Sequence, residues 1–312
     1  VSASRSAHSL PAGPAPVIDS HVHFWQPDRL RYPWLSGVPA LDGPFGPGDL
    51  LHALREPVEA VFVEAGRIPA QAADEVEWVR QLARTRPWIR GAVAHVSLDD
   101  PGTAPEAIRR FAADPFVVGV RHNVQDEEPG FTAGAGFREA VRLLGEAGLA
   151  FDACVRQPQL DELAELAAAC PRTRIVLDHL GKPSVPAVDS AWRSSLRRLA
   201  RQDNVVCKLS GLATEAAPGT EPAGLVAILR EALEEFGPDR CLYGGDWPVM
   251  TLATTYESWL GLVRTALADL PAADADAVMC ANTVRTYRLE QARAPAAGHD
   301  GAGRASGEAE PR

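Results

Sequence analysis

Along the chain, short apolar runs alternate with longer stretches in which apolar residues recur every three or four positions. Eight runs read as strands: PVID, VEAVFVEAG, IRGAVAHVSL, FVVGVRH, LAFDACV, RIVLDHLG, NVVCKLSG and RCLYGGDW. Several are apolar on both faces, the pattern of strands covered from both sides. Between them, AADEVEWVRQLART spaces Val76, Val79 and Leu82 as a helix does, and PQLDELAELAAAC repeats Leu160, Leu163 and Leu166 in the same way. GFREAVRLLGEAG and GLVAILREALEEFG each stop at a glycine, the second just before Pro238.

Strands and helices alternating eight times predict an α/β fold, a parallel (β/α)8 TIM-like barrel with helices outside and packed side chains within. The competing open, doubly wound sheet is disfavoured, because no G-x-G-x-x-G follows the first strand and polar residues recur at the strand ends. In a barrel those ends converge on one site. The connection over residues 26–57 is long and rich in Pro, Gly and aromatics, as expected of a lid or substrate wall.

Composition narrows the class. A hydrophobic fraction of 46% and a charged fraction of 23% suit a globular enzyme with a substantial core. The net charge of −10 argues against nucleic acid or anionic lipid as partner. Five scattered cysteines without a C-x-x-C pair point to buried thiols in a reducing compartment. No run approaches the roughly 18 apolar residues of a membrane span. Residues 1–16 and 291–312 read as loose tails, the first with no apolar core of a signal peptide, leaving one domain over 17–290. A cytoplasmic protein, monomer or homodimer, is the expectation.

The chemistry gathers at three strand ends: His21 and His23 in VIDSHVHFW, His179 in VLDHLGKP and Asp246 in LYGGDWPV. Along a strand, residues i and i+2 project to one side, so His21 and His23 share a space. Singly, a histidine at a strand end is a hydrogen-bonded structural residue, and an aspartate after two glycines caps a turn. Three imidazoles and a carboxylate at one edge of one barrel are hard to place structurally and mark a candidate site.

VIDSHVHFWQPDRLRYPWL, GVRHNVQDE, VLDHLGKP, KLSGL and YGGDWPV, in that order from about Val17 to Leu289, resemble the amidohydrolase superfamily. Within it they are most similar to the branch of sugar-lactone hydrolases typified by fuconolactonases and rhamnonolactonases. The resemblance implies a distorted TIM-like barrel with its site at the C-terminal strand ends, where His21, His23, His179 and Asp246 match the family's catalytic positions. At strand five FDACVRQPQL offers no histidine or lysine ligand, only Asp152 and Gln157, so a two-metal site is not expected.

For such a lactone, Asp246 is the expected base for water, returning the proton to the leaving alkoxide. His21, His23 and His179 either donate hydrogen bonds to the carbonyl oxygen or, with Asp246, ligate one divalent ion, zinc foremost, that polarises it. The enzyme thus needs no cofactor or one metal. Arg121 and His122 are candidates for substrate hydroxyls or the product carboxylate, with an ion pair to Asp126 or Glu127 as the structural alternative. Lys182 reads similarly. Trp25 and Trp247 are candidates for packing on a sugar ring, Tyr32 and Trp34 fit a satellite core better, and Glu64 and Asp152 are possible lining residues. His95, His8, His52 and His299 read as structural or surface residues. The alternatives are hydrolysis of a pyrone or muconolactone dicarboxylate, nonoxidative decarboxylation on the same scaffold, and a catalytically silent sugar-binding barrel.

Overall fold

The computed structural model describes residues 16–289. The tails expected over 1–16 and 291–312 lie outside the described residues, Pro16 excepted. All eight expected strands form: Val17–Val22 (β1), Val58–Val63 (β2), Ile89–His95 (β3), Val117–Asn123 (β4), Ala150–Cys154 (β5), Ile175–Leu177 (β6), Val205–Leu209 (β7) and Cys241–Tyr243 (β8). They pair in parallel, each with its sequence neighbour. Just beyond the strands, the Asp246 N–H donates to the His21 carbonyl and the His23 N–H to the Trp247 carbonyl, both at 2.8 Å. These two bonds bring the end of β8 against β1 and nearly close the barrel.

The four helices read from apolar spacing or from a terminal glycine occur at Ala72–Ala83, Ala135–Ala147, Leu160–Ala169 and Pro222–Phe236. Their apolar stripes pack on the outside of the sheet, where Phe62, Phe151, Cys207 and Tyr243 face them in one large core. A second core fills the barrel: Ile18, Val61, Val63, Val93, Val176, Val206 and Leu242 point inward. Burying each such side chain contributes roughly 1.5–3 kcal/mol, so the interior is a packed core and not a pore. The Asn282–Tyr287 helix seals the N-terminal end of the barrel with Tyr287, whose hydroxyl donates to Asp152 Oδ2 at 2.7 Å.

One irregularity shapes the site. Between Asp19 and Val22 the β1–β2 register shifts. Ile18 faces the barrel interior, and after the shift His21 also turns inward, with Nδ1 3.1 Å from Lys208 Nζ. No helix of the described residues is long and apolar enough to cross a membrane. The five cysteines are free.

Candidate active site

The C-terminal strand ends bring His21, His23, His179 and Asp246 together. Asp246 Oδ1 lies 3.4 Å from His23 Nε2, 3.7 Å from His21 Nε2 and 4.0 Å from His179 Nε2. All four residues are buried. Asp246 takes φ 62, in the left-handed region that costs a non-glycine residue about 1–2 kcal/mol. Its backbone bond to His21 helps hold it there. His179 and Leu180, both at φ 55, continue the same departure after β6. Strained backbone of this kind concentrates at functional sites.

Two glycines allow the close approach. A Cβ on Gly245 would stand 2.4 Å from Asp19 Oδ2, and one on Gly211, at φ 63, would stand 2.4 Å from His179 Nδ1. Asp19 accepts from the backbone N–H groups of His21 and Gly245 and from the Tyr256 hydroxyl, at 2.8–2.9 Å. It therefore ties the strand carrying two histidines to the turn carrying Asp246. Burial raises its pKa to about 7.

Partners beneath the imidazoles set their tautomers. The Val63 carbonyl, 2.8 Å from His23 Nδ1, only accepts, so in the neutral ring Nδ1 carries the proton and Nε2 presents a lone pair. The ammonium of Lys208 only donates. With it 3.1 Å from His21 Nδ1, that nitrogen accepts in one tautomer and Nε2 donates to His23 Nε2 at 3.2 Å, whereas the Arg121 guanidinium 3.4 Å from Nε2 favours the opposite tautomer. The other tautomer is also provided for, since Asp178 Oδ1 lies 3.4 Å from His21 Nδ1. Neither oxygen of that fully buried carboxylate has a hydrogen-bond partner, although Lys208 Nζ and Arg121 Nη1 stand 3.1 and 3.7 Å away. His179 Nδ1 pairs with Ser210 Oγ at 2.9 Å.

This donor set fits a single divalent ion. His21 Nε2, His23 Nε2 and an Asp246 oxygen lie within 4.8 Å of one another. Their separations of 3.2–3.7 Å suit one small ion with bonds of roughly 2.0–2.2 Å to nitrogen and oxygen. The unpartnered Asp178 carboxylate would take the His21 Nδ1 proton, just as ligating histidines donate their second N–H to a carboxylate or carbonyl. On β5, Asp152 points below the site to Lys208 Nζ at 2.5 Å, and Gln157 bonds Asp189 at 2.8 Å, so neither adds a second metal position.

Burial, then the Lys208 charge, pushes the His21 pKa well below its usual value, and burial brings His179 to about 4. Burial opposes the ionised form of Asp246, but His179, His23 and His21 around it outweigh that and hold its carboxyl well below the usual range. At neutral pH the cluster therefore pairs uncharged His21 and His179 with an ionised Asp246.

The cavity above has a volume of about 370 Å³, within the roughly 300–1,000 Å³ of small-molecule sites. Its floor holds His23, His179, Asp246 and Arg121, and Trp34, Gln125 and Lys182 are among its walls. A larger groove of about 590 Å³ opens at Val17, Arg264 and Met279 at the other end of the barrel, but it gathers no comparable group of bases.

Of the residues read from sequence as substrate contacts, Arg121 and Lys182 reach the cavity, whereas Trp25, Trp247, His122 and Glu64 do not. Trp25 is buried behind the wall, its Nε1 donating to Gly43 O at 2.8 Å and its ring edge-on to Trp34 and Phe45. It is Trp34, read from sequence as satellite core, that lines the cavity. Trp247 packs edge-on against Phe24 and Phe45. His122 Nδ1 accepts from the Leu98 N–H at 3.1 Å, a structural bond. Glu64 lies under the site and binds Arg121 Nε at 2.7 Å and Arg67 Nη1 at 2.9 Å. Arg121 thus pairs with Glu64 and Asp178, and of the ion pairs expected with Asp126 or Glu127 only His122 Nε2 approaches one, at 3.8 Å from Glu127 Oε1.

Sequence reasoning missed Lys208, Asp178, Asp19 and Ser210. Lys208 in an otherwise apolar VVCKL strand was a readable signal, because a lysine facing a barrel interior demands counter-charges. Asp178, directly before His179, was readable in the same way.

Residues 18–289 match the amidohydrolase family, and the chain belongs to it, a hydrolase on the family's barrel. Among characterised relatives it is 35% identical over 296 residues to the L-fucono-1,5-lactonase of Burkholderia multivorans, spanning 88% of this chain and 96% of that protein. Identity to the L-fucono-1,5-lactonase of Burkholderia ambifaria is 32% over 281 residues, with the same coverage of 88% and 96%. A crystal structure of an amidohydrolase from Burkholderia multivorans with bound zinc superposes with a TM-score of 0.77 at 32% identity, covering 88% of this chain and all of that one.

Proposed function

We propose that this enzyme hydrolyses a sugar-derived lactone, opening the ester ring to the sugar acid. The observation that carries the reading is the ionised Asp246 carboxylate within 4.0 Å of three imidazole Nε2 atoms, with Asp246, His23 and His179 lining a sugar-sized cavity. The likeness to two L-fucono-1,5-lactonases supports a six-membered aldonolactone as substrate.

In this reading Asp246 takes a proton from water as the water oxygen attacks the lactone carbonyl carbon. The carbonyl oxygen becomes an oxyanion, the bond to the ring oxygen breaks, and Asp246 returns the proton to the departing alkoxide. A single divalent ion of the zinc class, held by His21, His23 and Asp246 with His179 in reach, would supply Lewis-acid polarisation of the carbonyl. The fixed positive charge of Arg121, 3.4 Å from His21 Nε2, favours developing negative charge on the same floor. Trp34 in the wall can pack on the C–H side of a sugar ring, and Gln125 and Lys182 offer partners for its hydroxyls.

Charge at the cavity weighs against the dicarboxylate alternative. Arg121 and Arg67 are paired with Glu64, Arg156 with Asp126, and Lys182 lies 3.7 Å from Glu215. Two substrate carboxylates would find these cations already matched, whereas a neutral lactone needs none of them. A cytoplasmic setting belongs to the same reading.

The test is acid release, followed with a pH indicator above the uncatalysed ring opening, across five- and six-membered aldonolactones. Chelator-treated enzyme is compared with enzyme given Zn²⁺. Turnover of a few stereochemically related lactones is the expected result, and loss with chelator restored by Zn²⁺ would identify the ion as a working part. Silence on every aldonolactone with turnover of a pyrone dicarboxylate would replace this reading.

A further inference from the structure

We propose that the end of the barrel opposite the active site binds a small oxyanion of the phosphate class, held by Arg174, Arg285 and Arg288. These residues line a cavity of about 170 Å³ at the N-terminal ends of β5 and β6. Arg172 stands on the same rim and is paired with Glu146 at 2.6 Å. Among the described residues, no carboxylate comes within 4.0 Å of Arg174, Arg285 or Arg288, in a chain with ten more acidic than basic side chains (41 against 31).

All three are exposed, and two of them are held in place by neutral oxygens. Arg174 Nη1 donates to the Asp203 carbonyl at 3.0 Å, and Arg285 Nη2 donates to the Asp239 carbonyl at 2.6 Å and to Asn282 Oδ1 at 2.8 Å. A guanidinium has five N–H groups, so these bonds fix its plane and leave most donors free. Arg288 leaves the last helix at φ 53, and a Cβ on Gly148 would meet its Nη1 at 2.2 Å, so the guanidinium packs directly on that glycine. Besides burial, the like charges of Arg285, Arg240 and Arg288 disfavour the charge on Arg174. An anion between them turns that mutual repulsion into attraction. A planar carboxylate is satisfied by one guanidinium fork, whereas a tetrahedral oxyanion offers oxygens to three, and the cavity is too small for a nucleic-acid strand.

The experiment is calorimetric titration of the full chain with inorganic phosphate at constant ionic strength, with chloride as the replacing salt. Wild type is expected to bind one phosphate saturably and to gain thermal stability as phosphate rises. The double variant R285Q/R288Q should lose at least about tenfold in affinity, since two charged donors to the anion are removed. Its esterase rate at the distant site should stay at the wild-type level. No saturable binding by about 10 mM phosphate, or equal binding by the double variant, would overturn the proposal. Residues 290–312 carry carboxylates of their own, so E290Q is run in parallel. Phosphate binding that appears only in E290Q would make the chain's own carboxylate the occupant and reject the free oxyanion.

Discussion

Lys208 is fully buried, and its charge survives because Asp152 and Asp178 stand 2.5 and 3.1 Å from its ammonium. Burial alone would lower its pKa, but the two carboxylates outweigh that and raise it. Removing one partner of such a group leaves uncompensated buried charge, at a cost of about 3–5 kcal/mol. K208M should therefore lower the unfolding free energy obtained from urea titration by about 3–5 kcal/mol, and K208M/D152N should recover part of the loss. A K208M unfolding free energy within about 1 kcal/mol of wild type would contradict this picture of the site floor. Glu75 gives a pH-dependent counterpart. Burial raises its pKa, Arg67 pulls the other way, and the neighbouring Glu64 raises it further. The folded state thus keeps a proton that the unfolded chain releases near pH 4.5. The stability this contributes is fully present below that pH and is lost as pH rises towards the folded pKa. Measured against E75Q, wild type should lose relative stability as pH is raised from about 4.5 towards neutrality; a difference flat with pH would show that Glu75 is ionised in the fold.

At the scale of elements, the strands were legible because their two-sided apolar runs are long enough to separate from helix spacing, and the four best helices because their stripes repeat over three turns. The turns after β6 and β8 were not. DHLG and GGDW show which residues are present, but the left-handed backbone at His179, Leu180 and Asp246 follows from tertiary contacts that no local pattern records. Trp25 and Trp34 were exchanged for the same reason. Both are aromatics in one loop, and only the packing of Trp25 on Phe45 and its bonds to the Leu41 and Gly43 carbonyls decide which one faces the cavity. The β7 turn makes a prediction at this scale. G211A places a methyl against the His179 ring and adds strain at φ 63, so the imidazole must move. Because a displacement of about 1 Å can cost on the order of a hundredfold in rate, G211A should lose most of its kcat while keeping a cooperative unfolding transition. Unchanged kcat would show that the position of His179 does not matter to the reaction.

Across the whole molecule, the barrel separates stability from chemistry. Its interior and N-terminal end are closed by apolar side chains and Tyr287, and its C-terminal end gathers three imidazoles and Asp246 from β1, β6 and β8. That convergence was legible from sequence because a parallel barrel sends every strand end to one face. In the layer below it, Lys208, Asp178 and Glu64 orient the histidines and Arg121; the charges themselves were readable, but which partner each takes was not, since partners are fixed only once the strands are side by side. The central claim is that the carboxylate at the meeting point of the imidazoles drives lactone opening. It is tested most directly by acid release from L-fucono-1,5-lactone with wild type and D246N side by side, above the uncatalysed rate and with both proteins shown to be folded. The account predicts rapid release by wild type and a loss of at least about a thousandfold in D246N, a general acid–base contribution being worth roughly 10²–10⁴. Near-equal release by the two proteins would contradict it.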